Sequence, residues 1–116
     1  MGLRVIVCGG RDYTDYRTVS RVLNAIDRKY GIEAVIHGTA HGADKLAQRW
    51  GFEHHKLVIG CPARWEKHGK KAGPLRNQHM LDTWKPDACV AFPGGKGTAD
   101  MIRRARAAGL KMKVLG

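Results

Sequence analysis

Apolar residues in this chain come in short dense runs, and glycine ends most of them. Residues 3–8, LRVIVC, form a β-branched run that stops at Gly9-Gly10-Arg11-Asp12. The pattern then changes. From about residue 15 to residue 30, Val19, Val22, Leu23, Ile26 and Tyr30 follow gaps of three and four, the spacing of one helix face. Thr14 or Asp15 stands where an N-cap is needed, and Gly31 where a helix ends. The alternation repeats. Residues 33–37 (EAVIH) read as a strand, broken by Gly38-Thr39-Ala40-His41-Gly42. A helix from about Ala43 turns Leu46, Ala47 and Trp50 inward, and residues 56–60 (KLVIG) read as the third strand. A polar stretch over 61–72 follows. Gly73-Pro74 then opens a third helix, with Pro74 in the first turn, Leu75, His79 or Met80, and Leu81 inward, and an end before Pro86. Residues 87–92 (DACVAF) are the fourth strand, and Pro93-Gly94-Gly95-Lys96-Gly97-Thr98 breaks it. A helix over about 99–108 turns Met101, Ile102 and Ala105 inward, and residues 111–115 close the chain as a strand.

The order is βαβαβαβαβ. The strands are near-continuous apolar runs, as strands of a parallel sheet buried on both faces must be. The expected fold is α/β, with residues 1–116 forming a single Rossmann-like three-layer domain. Its five-stranded parallel sheet has the expected order 3-2-1-4-5.

Such a sheet binds ligands beyond the carboxyl ends of its strands, where the strand order reverses. The glycines fall on that rim. Without a Cβ the backbone can bring N–H groups close to phosphate oxygens, and a following helix start adds to the attraction. The candidate ligand-binding residues are therefore those of three loops. Gly9, Gly10, Arg11 and Asp12 follow strand one; His37, Gly38, Thr39, Gly42, Ala43 and Asp44 follow strand two; Pro93, Gly94, Gly95, Lys96, Gly97 and Thr98 follow strand four. Arg76 and Asn77, early in the third helix, are candidates for a phosphate clamp and an amide contact. Asp12 and Asp44 suit a ribose hydroxyl or a helix cap. No GxGxxG is present, and no GxxxxGK[ST] follows the first strand, so neither dinucleotide hydride transfer nor P-loop hydrolysis has support.

Composition sharpens this picture. The chain has 116 residues, 15 of them Gly, and a formal net charge of +11, which attracts anions. Two basic clusters point to weak nucleic-acid binding: Arg64, Lys67, Lys70, Lys71 and Arg76, and Arg103, Arg104, Arg106, Lys111 and Lys113. Trp65 lies in the first cluster, where it is a candidate for stacking on a base. The six His show neither HExxH nor a Cys/His cluster, so no metal site is expected. The apolar runs are far shorter than the ~20 residues of a membrane span. No signal peptide is evident, and Cys8, Cys61 and Cys89 cannot all pair. A cytoplasmic protein is expected.

Four segments together carry a resemblance: VIVCGGRDYTD, VIHGTAHGADKLAQRW, WEKHGKKAGPLRNQHM and VAFPGGKGTADMIRRARAAG. They look like the YspA/YpsA-related branch of the SLOG superfamily, which also holds the Smf/DprA DNA-processing proteins and the LOG cytokinin-activating hydrolases. The resemblance covers residues from about 3 to 114. It implies a Rossmann-like sheet and a pocket for a nucleotide or a nucleotide-derived ligand such as an ADP-ribose relative. It commits to no cofactor, and through the LOG proteins it implies a homodimer. Two departures stand out. The branch's HGGARGAD is His37-Gly-Thr-Ala-His-Gly-Ala-Asp44 here, with Thr39 for a glycine and His41 for an arginine. The hydrolases' PGGxGTxxE ends on a catalytic Glu, and the matching residue is Met101, which cannot assist glycosidic cleavage. An enzyme of LOG type, a nucleoside-phosphate N-glycosidic hydrolase, would have to use Asp12, Asp44 or Asp100. The first expectation is thus ligand binding, then hydrolysis, then single-stranded nucleic-acid binding.

Overall fold

β-branched and small apolar residues dominate the three central strands, which pack on both of their faces. The computed structural model describes residues 2–116. Its strands are β1 (Leu3–Cys8), β2 (Ile32–His37), β3 (Leu57–Gly60), β4 (Ala88–Ala91) and β5 (Lys111–Val114). They form one sheet in the order β3-β2-β1-β4-β5, with every neighbouring pair parallel. This is the order expected from the sequence. The helices are α1 (Tyr16–Tyr30), α2 (Ala43–Glu53), α3 (Trp65–His68), α4 (Ala72–Trp84) and α5 (Lys96–Ala107).

Alternate residues of β1 feed different cores. Val5 and Val7 point to one face and pack with Val19, Val22 and Leu23 of α1 and with Ala47 and Trp50 of α2. Ile6 and Cys8 point to the other and pack with Met80 and Leu81 of α4 and Met101 and Ala105 of α5. The chain therefore changes face between α2 and α4, and β1 and β4 diverge from the switch point. Asp15 is the N-cap of α1: its carboxylate accepts the Thr18 N–H at 3.0 Å.

Several boundaries differ from the sequence reading. The stretch over 61–72 is largely ordered as helix. It forms the short α3, then a 3-10 turn over Gly69–Lys71 that runs directly into α4. α5 begins at Lys96 rather than near 99, so Lys96, Gly97 and Thr98 are helical. Two expected core residues face outward. Leu75 is exposed because α4 buries Ala72, Asn77, Met80 and Leu81 instead. Tyr30 is exposed with the Lys29 and Lys111 ammonium groups over its ring, at 5.2 and 4.9 Å from the centroid.

Gly42 and Gly109 separate backbone strain from packing. Both have left-handed φ, +76° and +80°. A Cβ at Gly109 would meet nothing within 4 Å, whereas one at Gly42 would run into the carbonyl oxygens of Gly10 and Arg11. Gly109→Ala should cost about 1 kcal/mol, the ordinary left-handed penalty. Gly42→Ala should cost well over ~2 kcal/mol, because two loops must also separate. Urea denaturation of the two variants measures the difference, and equal losses would show that the loop contact is unimportant.

Candidate functional site

The ends of β1, β2 and β4 meet because their loops are bonded to one another. The Gly10 N–H donates to the Pro93 carbonyl at 2.8 Å, and the Ala43 N–H to the Gly10 carbonyl at 3.1 Å. A Cβ on Gly94 would lie 2.7 Å from the Gly10 nitrogen, and one on Gly9 2.6 Å from the Ala43 Cβ. Gly9, Gly42 and Gly94 thus serve loop-to-loop packing. Gly95 and Gly97 are different, since neither has anything within 4 Å of its Cβ position.

These loops, the first turn of α5 and the facing side of α3–α4 enclose a cleft of about 610 Å³. α5 opens onto it without a side-chain cap: Gly95 occupies the N-cap position and makes no side-chain bond. The first helical hydrogen bond is Ala99 N–H to Gly95 O at 3.0 Å, so the amides of Lys96, Gly97 and Thr98 precede it. Such a helix start presents positive partial charge.

One wall is a chain of polar bonds. The Arg76 Nη1 donates to the carbonyls of Gly38 at 2.6 Å and Cys61 at 3.3 Å, and its Nε donates to the Asn77 Oδ1 at 3.0 Å. The buried Asn77 passes the link onward: its Nδ2 donates to the Gly97 carbonyl at 3.3 Å and to the Asp100 Oδ2 at 2.9 Å. Asp100 also accepts from Arg103 and Arg104, at 2.8 and 2.9 Å. Asp44 closes the second loop on itself by accepting the N–H groups of Gly38 and Ala40 at 3.0 and 3.1 Å. It is neither a helix cap nor a free carboxylate.

The titration behaviour follows from this geometry. Burial raises the Asp44 carboxyl above its ordinary value, against the pull of the Ala40 amide and the Arg76 charge. Burial also acts on Asp100, but the bonds from Asn77 and Arg104 outweigh it and hold the carboxyl below the usual range. Burial lowers Arg76, with Asp44 opposing. No direct ion pair to Arg76 forms among the described residues; the Asp44 carboxyl acts on it only through space. Cys8, on the floor, is held far up by its hydrogen bond with the Cys89 thiol and by burial, and is no thiolate.

Of the residues expected from sequence, the cleft is lined by Gly9, Gly10, Arg11, Gly38, Asp44, Arg76, Asn77, Gly95, Lys96, Gly97, Thr98 and Asp100. Asp12, His37, Thr39, Gly42, Ala43, Pro93 and Gly94 are not among the residues that line it. Asp12 is exposed, and Met101 is buried in the core rather than turned to the cleft. Lys70 and Trp65 of the basic stretch also line the cleft; not expected from the sequence were the floor residues Val7, Cys8 and Met80, Ala40 of the second loop, and Gly73 and Pro74 on the α3–α4 wall. The floor residues are marked only as core. The wall residues lie in a stretch whose helical fold has no strong period.

Thr39 shows the consequence of replacing a glycine. It has φ +64°, and its N–H donates to the His37 Nδ1 at 3.0 Å. The neutral imidazole must therefore carry its proton on Nε2. That atom is buried without a hydrogen bond. Burial, aided by the Lys45 charge, lowers His37 from 6.5 to about 4. The unfolded chain then binds more protons than the folded one between those values, so stability falls as pH drops through this window. The full loss is about 3 kcal/mol. Carboxylates held low, such as Asp27 and Asp100, lose their contribution only as pH falls through and below the ordinary 3.8. The raised Asp44 carboxyl acts in the opposite sense, because the folded chain takes up its proton first. Urea midpoints should therefore fall more steeply from about pH 6.5 to about pH 4.5 in the parent than in His37→Asn, and equal slopes would contradict the buried neutral His37.

Comparison with known proteins agrees with the geometry. Residues 3–68 match the family described as YAcAr, the YspA, cpYpsA-related SLOG family. The chain is 41% identical to the Gene 61 protein of Mycobacterium phage D29, across 92% of this chain and 91% of that one. With more than half its length matched to the family and a relative aligned nearly end to end, this chain belongs to the YspA, cpYpsA-related SLOG family.

Proposed function

We propose that the cleft binds a small nucleotide or nucleotide-derived anion, with a phosphate seated on the first turn of α5, and that the protein works in the cytoplasm. The observation that carries this reading is the imbalance of available charge. Arg11, Lys70, Arg76 and Lys96 line the cleft, while its two carboxylates, Asp44 and Asp100, are already bonded to the protein. Amides ahead of the first helical bond add donors where no side chain competes. Lys96 and Thr98 supply a point charge and a hydroxyl beside them. A cytoplasmic setting suits a phosphorylated ligand and three unpaired thiols.

Hydrolysis of the ligand has less support. It needs a carboxylate free to move a proton beside the sugar. Asp100 is held ionised by three donors, Asp44 is tied to two amides, and Asp12 lies outside the cleft. Nucleic-acid binding is weakened as well, because Arg103 and Arg104 of the second basic cluster are paired with Asp100.

Calorimetry with AMP and ADP-ribose tests the binding reading. The expected result is saturable binding of at least one of them, weakened about tenfold by Lys96→Ala, with AMP recovered intact. Absence of binding by both at millimolar concentration would overturn it.

A further inference from the structure

The chain has three tryptophans, and two have structural work. Trp50 is fully buried in the α1–α2 core and donates its indole N–H to the Asn24 Oδ1 at 2.9 Å. Trp84 packs against the α4–α5 core. Trp65 does neither: it belongs to no core cluster, is 50% exposed, and lines the cleft from the first position of α3. Its ring edge rests on Gly73, where a Cβ would come within 3.5 Å of the Cη2 atom. That is ordinary van der Waals separation, so the indole lies directly against the first turn of α4. Pro74, also lining the cleft, continues this surface.

The cleft therefore offers two kinds of surface. One part of its lining is the amide-rich start of α5 with Lys96, and another is the exposed aromatic ring on the α3–α4 wall, beside Lys70. Resting on the anion reading above, we infer that Trp65 is a stacking platform for an aromatic base. The ligand class is then nucleoside 5′-phosphates rather than sugar phosphates. The amide and carboxylate side chains of the cleft are already committed: Asn77 donates to Gly97 and Asp100, and Asp44 and Asp100 accept from amides and arginines, while Arg11, Lys70 and Lys96 are left for the phosphate. Recognition by the π-face alone tolerates any base and favours the larger one. Purine nucleotides should bind more tightly than pyrimidine nucleotides, with no sharp preference between adenine and guanine.

Titrations of the full chain with AMP, GMP, UMP and ribose 5-phosphate, read by calorimetry and tryptophan fluorescence, test this inference. AMP and GMP should quench the fluorescence and bind within a few-fold of each other, UMP more weakly, and ribose 5-phosphate about tenfold or more below AMP. Trp65→Ala should weaken AMP by that same factor and leave ribose 5-phosphate unchanged, with Trp65→Phe in between. Trp65 is exposed and outside both cores, so these variants should unfold at the same urea midpoint as the parent. Equal affinity for AMP and ribose 5-phosphate would overturn the stacking role while leaving the anion seat intact. So would an equal loss for both ligands in Trp65→Ala. If none of the four compounds binds, the anion reading fails and this one with it.

Discussion

Asn77 joins two charges that would otherwise stand separately in the wall of the cleft. Its side-chain oxygen accepts from Arg76 and its nitrogen donates to Asp100, so one buried amide spans the gap between a cation and an anion. The bond to the Gly97 carbonyl fixes the first turn of α5 to α4, and the Arg76 bonds to Gly38 and Cys61 bring in the ends of β2 and β3. Four segments distant in sequence are thereby held around one space. A buried polar network of this kind is stabilising only when every member is satisfied, and loss of one link leaves the others desolvated without partners. The rim geometry depends on that completeness more than on any single apolar contact.

The same network explains how the charge of +11 is spread. Asp100 pairs with Arg103 and Arg104 on α5, which offsets part of the positive charge there. Asp44 closes a loop through two amides and leaves Arg76 without an ion-pair partner. Arg11, Lys70 and Lys96 then add to a potential that no free carboxylate in the cleft offsets. The glycines act one step earlier. Gly9, Gly42 and Gly94 let three loops approach until they bond backbone to backbone, and only then does the start of α5 face the cleft.

Much of this was legible in the sequence because it rests on local signals. Dense apolar runs ended by glycine-bearing loops located β1 to β4, and the repeated alternation implied β5 and the parallel order that β1 and β4 display. The rim loops were legible for the same reason. What could not be read was set by long-range partners. Arg76 looked like a clamp for phosphate, but its Nη1 and Nε are bonded to groups from three other positions, one of them 38 residues away. Lys96–Thr98 read as loop because Gly is a poor helix former, yet Asn77 pins the Gly97 carbonyl and the helix starts early. The basic stretch before α4 lacks apolar periodicity, so its helical turns and the seat of Trp65 on Gly73 carry no sequence signature.

The central claim is that the bonded α4–α5 wall holds the first turn of α5 ready for an anion. Backbone amide resonances followed by NMR during an AMP titration test it most directly. The account predicts the largest shifts at Lys96, Gly97 and Thr98, small shifts on the outer faces of α1 and α2, and marked attenuation of the rim shifts in Asn77→Ala. Shifts concentrated instead around Arg106, Lys111 and Lys113, with the α5 start unmoved, would contradict it.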